Sequence, residues 1–353
     1  MKLLILTQKI DINDDILGFF HCWVEEFAKN CESVIVICLQ KGECHLPKNV
    51  KVFSLGKEKG RSNIKYLLNF YKYIWRERKN YDTVFVHMNS EYVVLGGLLW
   101  KLWRKKIGLW YAHGSTSFFL KIAEKIANII FTSTPTGFRI KSRKLKIIGQ
   151  GIDIKKFSPD FIKRDNSIFK IISVGRISPI KNLETLILSA SVLKKKMNNL
   201  KVQIIGDIVL HSEKAYLLSL KTLVKKENIE KIVEFVGSVP NNKIVPLLQN
   251  SDLFVNCSMT GSLDKAILES MACGVITLSC NEAAKEVLLE INDNLFFDCK
   301  NPRSLADKIY FFYGLFEDKK DKLRQDSANL IVEKFSLARL IKSIFESYDF
   351  KIR

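Results

Sequence analysis

The segment VGRISPIKN sets Arg176 and Lys181 five positions apart around a glycine and a proline, in a loop that follows an apolar run. A forked guanidinium and a point-charge ammonium both neutralise phosphate oxygens, so such a pair at a strand end can clamp a diphosphate where negative charge develops. The alternative is a solvated pair, in a chain with 56 Lys and Arg. Further along, CSMTGSLDKAILESMACGVI places one carboxylate, Glu269, beyond a Thr-Gly-Ser loop. The TGSLDK stretch leaves amides free at a helix N-terminus, a setting for anionic or hydroxylated ligands. Glu269, a turn further in, is placed to accept hydrogen bonds from two vicinal hydroxyls, as a ribose presents them. A capping carboxylate with no ligand is the other reading.

A single histidine at a strand end, as His113 is in IGLWYAHGS, reads by itself as structural. DINDDI at 11 to 16 opens like a calcium loop but has Ile16 at its sixth place and Cys22 at its twelfth, where glycine and glutamate are needed. No GxGxxG follows a strand, which argues against a dehydrogenase. The eight cysteines form no CxxC pair, and several lie in apolar runs, which points to a reducing cytoplasm and no zinc site.

The elements that must position these residues alternate. Apolar runs KLLILT, SVIVICL, DTVFVHM and KIGLWYAH are each followed by a stretch of helical period, and the pattern restarts with FKIISVG, KVQIIGD, IVEFVG, SDLFVNCS and VITLSC. Short Val- and Ile-rich runs joined by helices predict parallel strands with crossovers, hence two doubly wound halves. Between them GQGIDIKKFSPDFIKRDNS, 149 to 167, reads as a linker. At 353 residues the chain suits two domains, and 47% hydrophobic residues mark a folded protein. The opening MKLLILTQKIDINDD reads as a buried strand rather than a signal peptide, and YVVLGGLLWKLW is too short to span a bilayer.

The formal charge is +19, and residues 57 to 106 carry twelve Lys and Arg against four Asp and Glu. Such an excess attracts polyanions, whether nucleic acid, anionic lipid or phosphorylated substrates. Segments 64 to 75 and 92 to 106 combine helical period, Tyr, Trp and flanking cations, as helices lying on an anionic membrane surface do. For most of their apolar residues, packing on the first sheet is expected. The positive charge beside Trp75, Trp100 and Trp103, with Arg104, Lys105 and Lys106, is the part left for a membrane.

Taken together, SVGRISPIKNLETLI, EFVGSVPNNKIVPLLQNSDLFV, SDLFVNCSMTGSLDKAILESMACGVITLS and the GQGIDIKKFSP linker resemble retaining glycosyltransferases of family four, which have the GT-B fold, most strongly from 147 to 290. The resemblance implies two Rossmann-like α/β domains facing across a cleft: 1–150 on the acceptor side, 160–335 binding the nucleotide sugar, and a terminal helix in 337–353 that crosses back to the first domain. It implies that Arg176 and Lys181 hold the donor diphosphate and Glu269 the ribose. Ser262, Leu263, Asp264 and Lys265 would face the transferred sugar, Gly18 would lie in a glycine loop, and His113 would sit near the reacting carbon. The sequence departs from the family at Gly261, where the first glutamate of a Glu-x7-Glu pattern is usual, and has one glycine rather than two around Gly18. Either Asp264 replaces the missing carboxylate, or loop amides do, or activity is weakened.

The implied function is transfer, with retention, of a sugar from a nucleotide-diphosphate sugar to a hydroxyl of a sugar or lipid-linked acceptor, in cell-surface polysaccharide or glycolipid synthesis. No cofactor and no metal is expected, because cationic side chains serve the leaving diphosphate. The expected location is cytoplasmic, peripheral on the inner face of the plasma membrane, with an anionic membrane surface as partner and no nucleic acid. The alternatives are a pseudoenzyme that binds a nucleotide sugar without turnover, and a polyanion-binding protein, which would need base-stacking aromatics along a basic stripe.

Overall fold

The computed structural model describes residues 1–14, 16–60, 62–160 and 167–349. Part of the expected linker, 161–166, lies outside them, as do Asp15 of the acidic loop, Arg61 and the last four residues of the expected terminal segment. The chain divides into two units, Met1–Gly151 with Leu337–Arg353, and Ile152–Ser336.

The first unit is built on a parallel sheet of β1 (Lys2–Ile10), β2 (Ser33–Lys41), β3 (Val50–Ser54), β4 (Thr83–His87), β5 (Lys106–Trp110), β6 (Ile129–Thr132) and β7 (Leu145–Ile147), in spatial order 3-2-1-4-5-6-7. The order reverses between β1 and β4, the kind of switch point where open α/β sheets bind ligands. The crossovers run through α1 (Phe19–Lys29), α2 (Asn63–Arg76), α3 (Ser90–Leu102) and α4 (Phe118–Ile126). Leu3 to Leu6 are fully buried, as expected of a parallel strand covered on both faces. Leu3 and Ile5 pack with α1, and Leu4 and Leu6 with Phe70 and Ile74 of α2 and Trp100 of α3. The short strands β3, β6 and β7 are additions to the sequence reading; β3 and β7 are only partly buried.

The second unit repeats the plan with β8 (Phe169–Val174), β9 (Leu200–Ile205), β10 (Val233–Gly237), β11 (Leu253–Asn256) and β12 (Ile276–Ser279), in order 10-9-8-11-12. Its helices are α5 (Leu183–Leu193), α6 (Lys214–Lys226), α7 (Ile244–Gln249), α8 (Lys265–Ala272), α9 (Lys285–Leu289), α10 (Pro302–Tyr313) and α11 (Glu317–Phe335). The switch falls between β8 and β11, whose carboxyl ends carry the loops with Arg176 and Gly261. The Met-Ala-Cys-Gly run ends α8: Gly274 adopts φ 66°, its N–H donates to Met271 O, and Val275 N–H donates to Ser270 O. That double closure of the last carbonyls is what a glycine after a helix permits.

The chain returns to the first unit through α12 (Leu337–Ser347), which buries Leu337, Leu340, Ile341, Ile344 and Phe345. Phe345 meets Phe27 of α1 at 5.7 Å between ring centroids. Tyr348 Oη donates to Val84 O at 2.9 Å across β5, where a Cβ on Gly108 would lie 2.0 Å from that oxygen. Glycine in a central strand here makes room for the chain's own terminal segment.

Candidate functional site

The loop after β8 is shaped by residues that leave little freedom. Gly175 has φ 152° and Gly206, at the end of β9, φ 132°. A Cβ on Gly206 would stand 2.0 Å from Gly175 O, so the two strand ends approach as closely as they do only with glycine. A 3-10 turn over Pro179–Lys181 follows, and Asn182 leaves it in the left-handed region at φ 47°, its side-chain amide donating to Thr185 Oγ1 at 2.8 Å. Met259 N–H donates to Ile180 O at 3.0 Å, tying this loop to the one after β11.

Held there, Lys181 forms an ion pair with Asp264. Asn256 Nδ2 donates to the same Asp264 carboxylate at 3.0 Å. Burial opposes ionisation of Asp264, but the Lys181 ammonium outweighs it, helped by the bonds from Lys181 and Asn256, and holds the carboxyl below its ordinary value. Gly175, Arg176, Lys181, Asn256, Cys257 and Ser258 line a small pocket at this point. Arg176 is exposed and makes no ion pair among the described residues. Near it, the Glu213 carboxylate accepts N–H bonds from Val209 and Leu210, each 3.0 Å. Those amides, Leu210 first, with the Arg176 charge, keep Glu213 below the usual carboxylate range.

The loop from β11 to α8 is stitched from both sides. Asn256 Oδ1 accepts from Ser258 N–H at 3.1 Å, and Asn281 Nδ2 donates to Ser262 O at 3.0 Å. Of the residues expected to face a sugar, Ser262 is half-buried with its carbonyl used by Asn281, and Leu263 is buried in the core of the unit. Asp264 precedes α8 and points its carboxylate at Lys181, while Lys265 opens the helix half-buried. Asp264, one of the groups weighed as a substitute for the carboxylate absent at Gly261, is thus also the partner that places Lys181.

Glu269 lies within α8, 8% exposed, and its carboxylate makes no hydrogen bond among the described residues. Burial pushes its pKa up, against the charges of Lys265 and Lys156. A largely buried carboxylate that the described residues leave without a hydrogen bond keeps its lone pairs for donors.

In the first unit, Gly18 opens α1 with its N–H already donating to Asp14 O at 3.0 Å; a Cβ there would come within 2.5 Å of that oxygen. Its small size serves closure of the loop. The loop's amides at Ile16 and Leu17 are taken by Asp14 Oδ1, and Asp14 is paired to Lys9 at 2.6 Å. His113 is exposed after β5, and its Nδ1 accepts from Ser115 N–H at 3.2 Å. The Arg139 guanidinium lies 3.0 Å from where a Cβ on Gly114 would stand.

The basic stretch differs from expectation. Trp100 is fully buried, donating to Tyr81 Oη at 3.1 Å, Lys105 donates to Tyr81 O, and Lys106 pairs with Asp349 at 2.8 Å. Asn256, Asn281 and Glu213 were absent from the sequence reading. The two asparagines stand at or just beyond strand ends, the one signal that marks them.

The family described as glycosyl transferases group 1 matches residues 154–327. An N-acetylgalactosaminyltransferase of Campylobacter jejuni, acting on N,N'-diacetylbacillosaminyl-diphospho-undecaprenol, is 29% identical over 197 residues, covering 52% of this chain and 48% of its own. The amylovoran biosynthesis glycosyltransferase AmsK of Erwinia amylovora is 26% identical over 157 residues, covering 43% of this chain and 37% of its own. The match spans about half the length of the curated relatives. Among solved structures, Anabaena HepE in complex with UDP superposes with a TM-score of 0.78 at 17% identity, over 99% of this chain and 100% of that one. The likeness to such structures extends over both parallel α/β units and gives the chain the GT-B fold.

Proposed function

We propose, for a chain that belongs through its second unit to the glycosyl transferases group 1 family, that it moves a sugar from a nucleotide-diphosphate sugar to a hydroxyl, with retention of anomeric configuration, in polysaccharide or glycolipid synthesis. The observation that carries the reading is a cation held in place in the same unit as a buried carboxylate left open: Lys181 fixed by Asp264, and Glu269 without a hydrogen bond among the described residues. In this reading Arg176 and Lys181 hold the diphosphate, Glu269 accepts from the ribose hydroxyls, and the amides entering α8 meet the transferred sugar. In the first unit, His113 and Gly18 are the residues proposed for the reacting carbon and the acceptor loop. The cationic side chains take the place of a metal at the leaving group.

The bond from the anomeric carbon to the phosphate oxygen breaks and a bond to the acceptor oxygen forms on the same face. The acceptor's proton passes to the departing phosphate oxygen. The acceptor is a sugar or lipid-linked sugar, and the enzyme works in the cytoplasm at the inner face of the plasma membrane, a location supported by the class of acceptor named for the Campylobacter relative. The UDP bound to the Anabaena neighbour makes uridine diphosphate sugars the first donors to try.

The test is calorimetric titration of nucleotide-diphosphate sugars into the protein, with release of nucleoside diphosphate followed in parallel. Saturable binding that is lost in Arg176→Ala, with diphosphate released, supports the enzyme. Binding without release identifies the pseudoenzyme that Gly261 raises as the second reading. No binding by any nucleotide sugar overturns both.

A further inference from the structure

The first unit carries a surface that its own fold does not use. Helix α2 buries Phe70 and Ile74, yet its outer side is apolar as well: Ile64, Leu68, Tyr71 and Trp75 recur at helical spacing and are exposed. Beside it α3 turns Leu95, Leu98 and Leu102 outward, and Phe118 of the neighbouring α4 is 73% exposed. Leu98 at 79%, Leu102 at 74% and Ile64 at 72% are exposures far beyond those of packed leucines and isoleucines. Tyr71 Oη donates to Leu95 O at 3.0 Å, so the two helices form one face. Trp75 packs against Trp103 at 5.7 Å, with the Arg78 guanidinium 4.7 Å from its ring centre.

The fringe of this face is cationic. Lys65, Lys72, Lys101 and Arg104 make no ion pair among the described residues, and Glu91 is the only acid in the two helices. We infer that the outer face of α2 and α3 docks the protein onto a bilayer containing anionic lipid. The leucines and Ile64 enter the boundary between headgroups and acyl chains, Trp75 lies at headgroup depth, and the free lysines meet lipid phosphates. A contiguous apolar face of this kind marks an interaction site. Charge selects the occupant: a second copy related by a two-fold axis would bring the cations against one another. Among the described residues no helix is long and apolar enough to cross a membrane, so the attachment lies in the interface plane. The inference rests on this surface and not on the donor site.

Flotation with vesicles of phosphatidylcholine alone, and with phosphatidylglycerol added, tests it without any sugar donor. The parent is expected to float with the anionic vesicles and to be released by salt. Lys72→Glu with Lys101→Glu should lower partition by about thirtyfold or more, at about 1 kcal/mol for each cation near the surface. Leu98→Ser with Leu102→Ser should lower it at least about tenfold, while Lys225→Glu with Lys322→Glu, an equal charge change in the second unit, should float like the parent. Thermal melting checks that each variant folds. Equal binding to both vesicle types, binding to neither, or leucine and lysine variants that float like the parent would overturn the inference. So would a parent dimer that Leu98→Ser with Leu102→Ser dissociates, which assigns the face to a second copy.

Discussion

Lys181 and Glu269 occupy opposite electrostatic situations within one unit. Lys181 has an anion supplied by the protein in direct contact, and Glu269 is buried with no hydrogen bond among the described residues and only the charges of Lys265 and Lys156 to offset it. If Arg176 and Lys181 grip a diphosphate, changing either to Ala should cut turnover a hundredfold or more, on the order of 3 kcal/mol of transition-state stabilisation, read as kcat/KM. Glu269→Gln should act in two directions. The folded pKa of Glu269 is raised above 4.5, so its ionised form penalises the fold once pH rises through that raised value, and the penalty is absent below 4.5. The variant should therefore melt higher than the parent at neutral pH, by on the order of 1 kcal/mol, with the gap closing as pH approaches about 4. Donor affinity should fall in the same variant. A lower melting point with unchanged donor affinity would return Glu269 to a structural role. Asp264 behaves oppositely: its folded pKa lies below 3.8, so its contribution is present above that value and is lost as pH falls through the folded pKa.

At the scale of elements, the meeting of the loops after β8 and β11 depends on backbone that tolerates no side chain. Gly206→Ala would place a Cβ 2.0 Å from Gly175 O, and should cost about 1–3 kcal/mol of stability, measured by urea unfolding, together with donor binding. Wild-type binding in that variant would mean that the approach of β8 and β9 does not shape the site. The strands of the two sheet centres were legible because parallel strands covered on both faces read as unbroken apolar runs, as in LLIL of β1 and LFVN of β11. VKVFS of β3 and LKI of β7 lie at or next to a sheet edge, where half-polar strands suffice and the run is too weak to see. Arg176, Lys181 and Glu269 could be picked out as types at strand ends and a helix start. The pairing of Lys181 with Asp264 could not, because it joins positions 83 apart that only the adjacency of β8 and β11 brings together. The outer apolar stripe of α2 was hidden for a different reason: period alone does not tell which of two apolar sides faces the sheet.

At the scale of the whole chain, the first unit is assembled from both ends of the sequence. Phe345 is fully buried in it, and Phe345→Ala should remove about 3–5 kcal/mol from the stability of that unit, seen as an earlier unfolding of its share of the circular dichroism signal. An unchanged transition would mean that α12 adds nothing to the unit it covers. The discontinuity also sets an order in time. A ribosome adding about 5–20 residues per second needs roughly ten to forty seconds to pass from Gly151 to Leu337. For that interval the nascent sheet has Phe27, Phe85 and Phe131 waiting for Phe345 and Tyr348, and the slot over Gly108 stands empty. The half of the protein that is made first is therefore finished last, and the second unit is translated entirely within its wait. Apolar surface left open for so long is a target for chaperones, so the yield of soluble protein should depend on the segment from Leu337 to Tyr348 more than its length suggests.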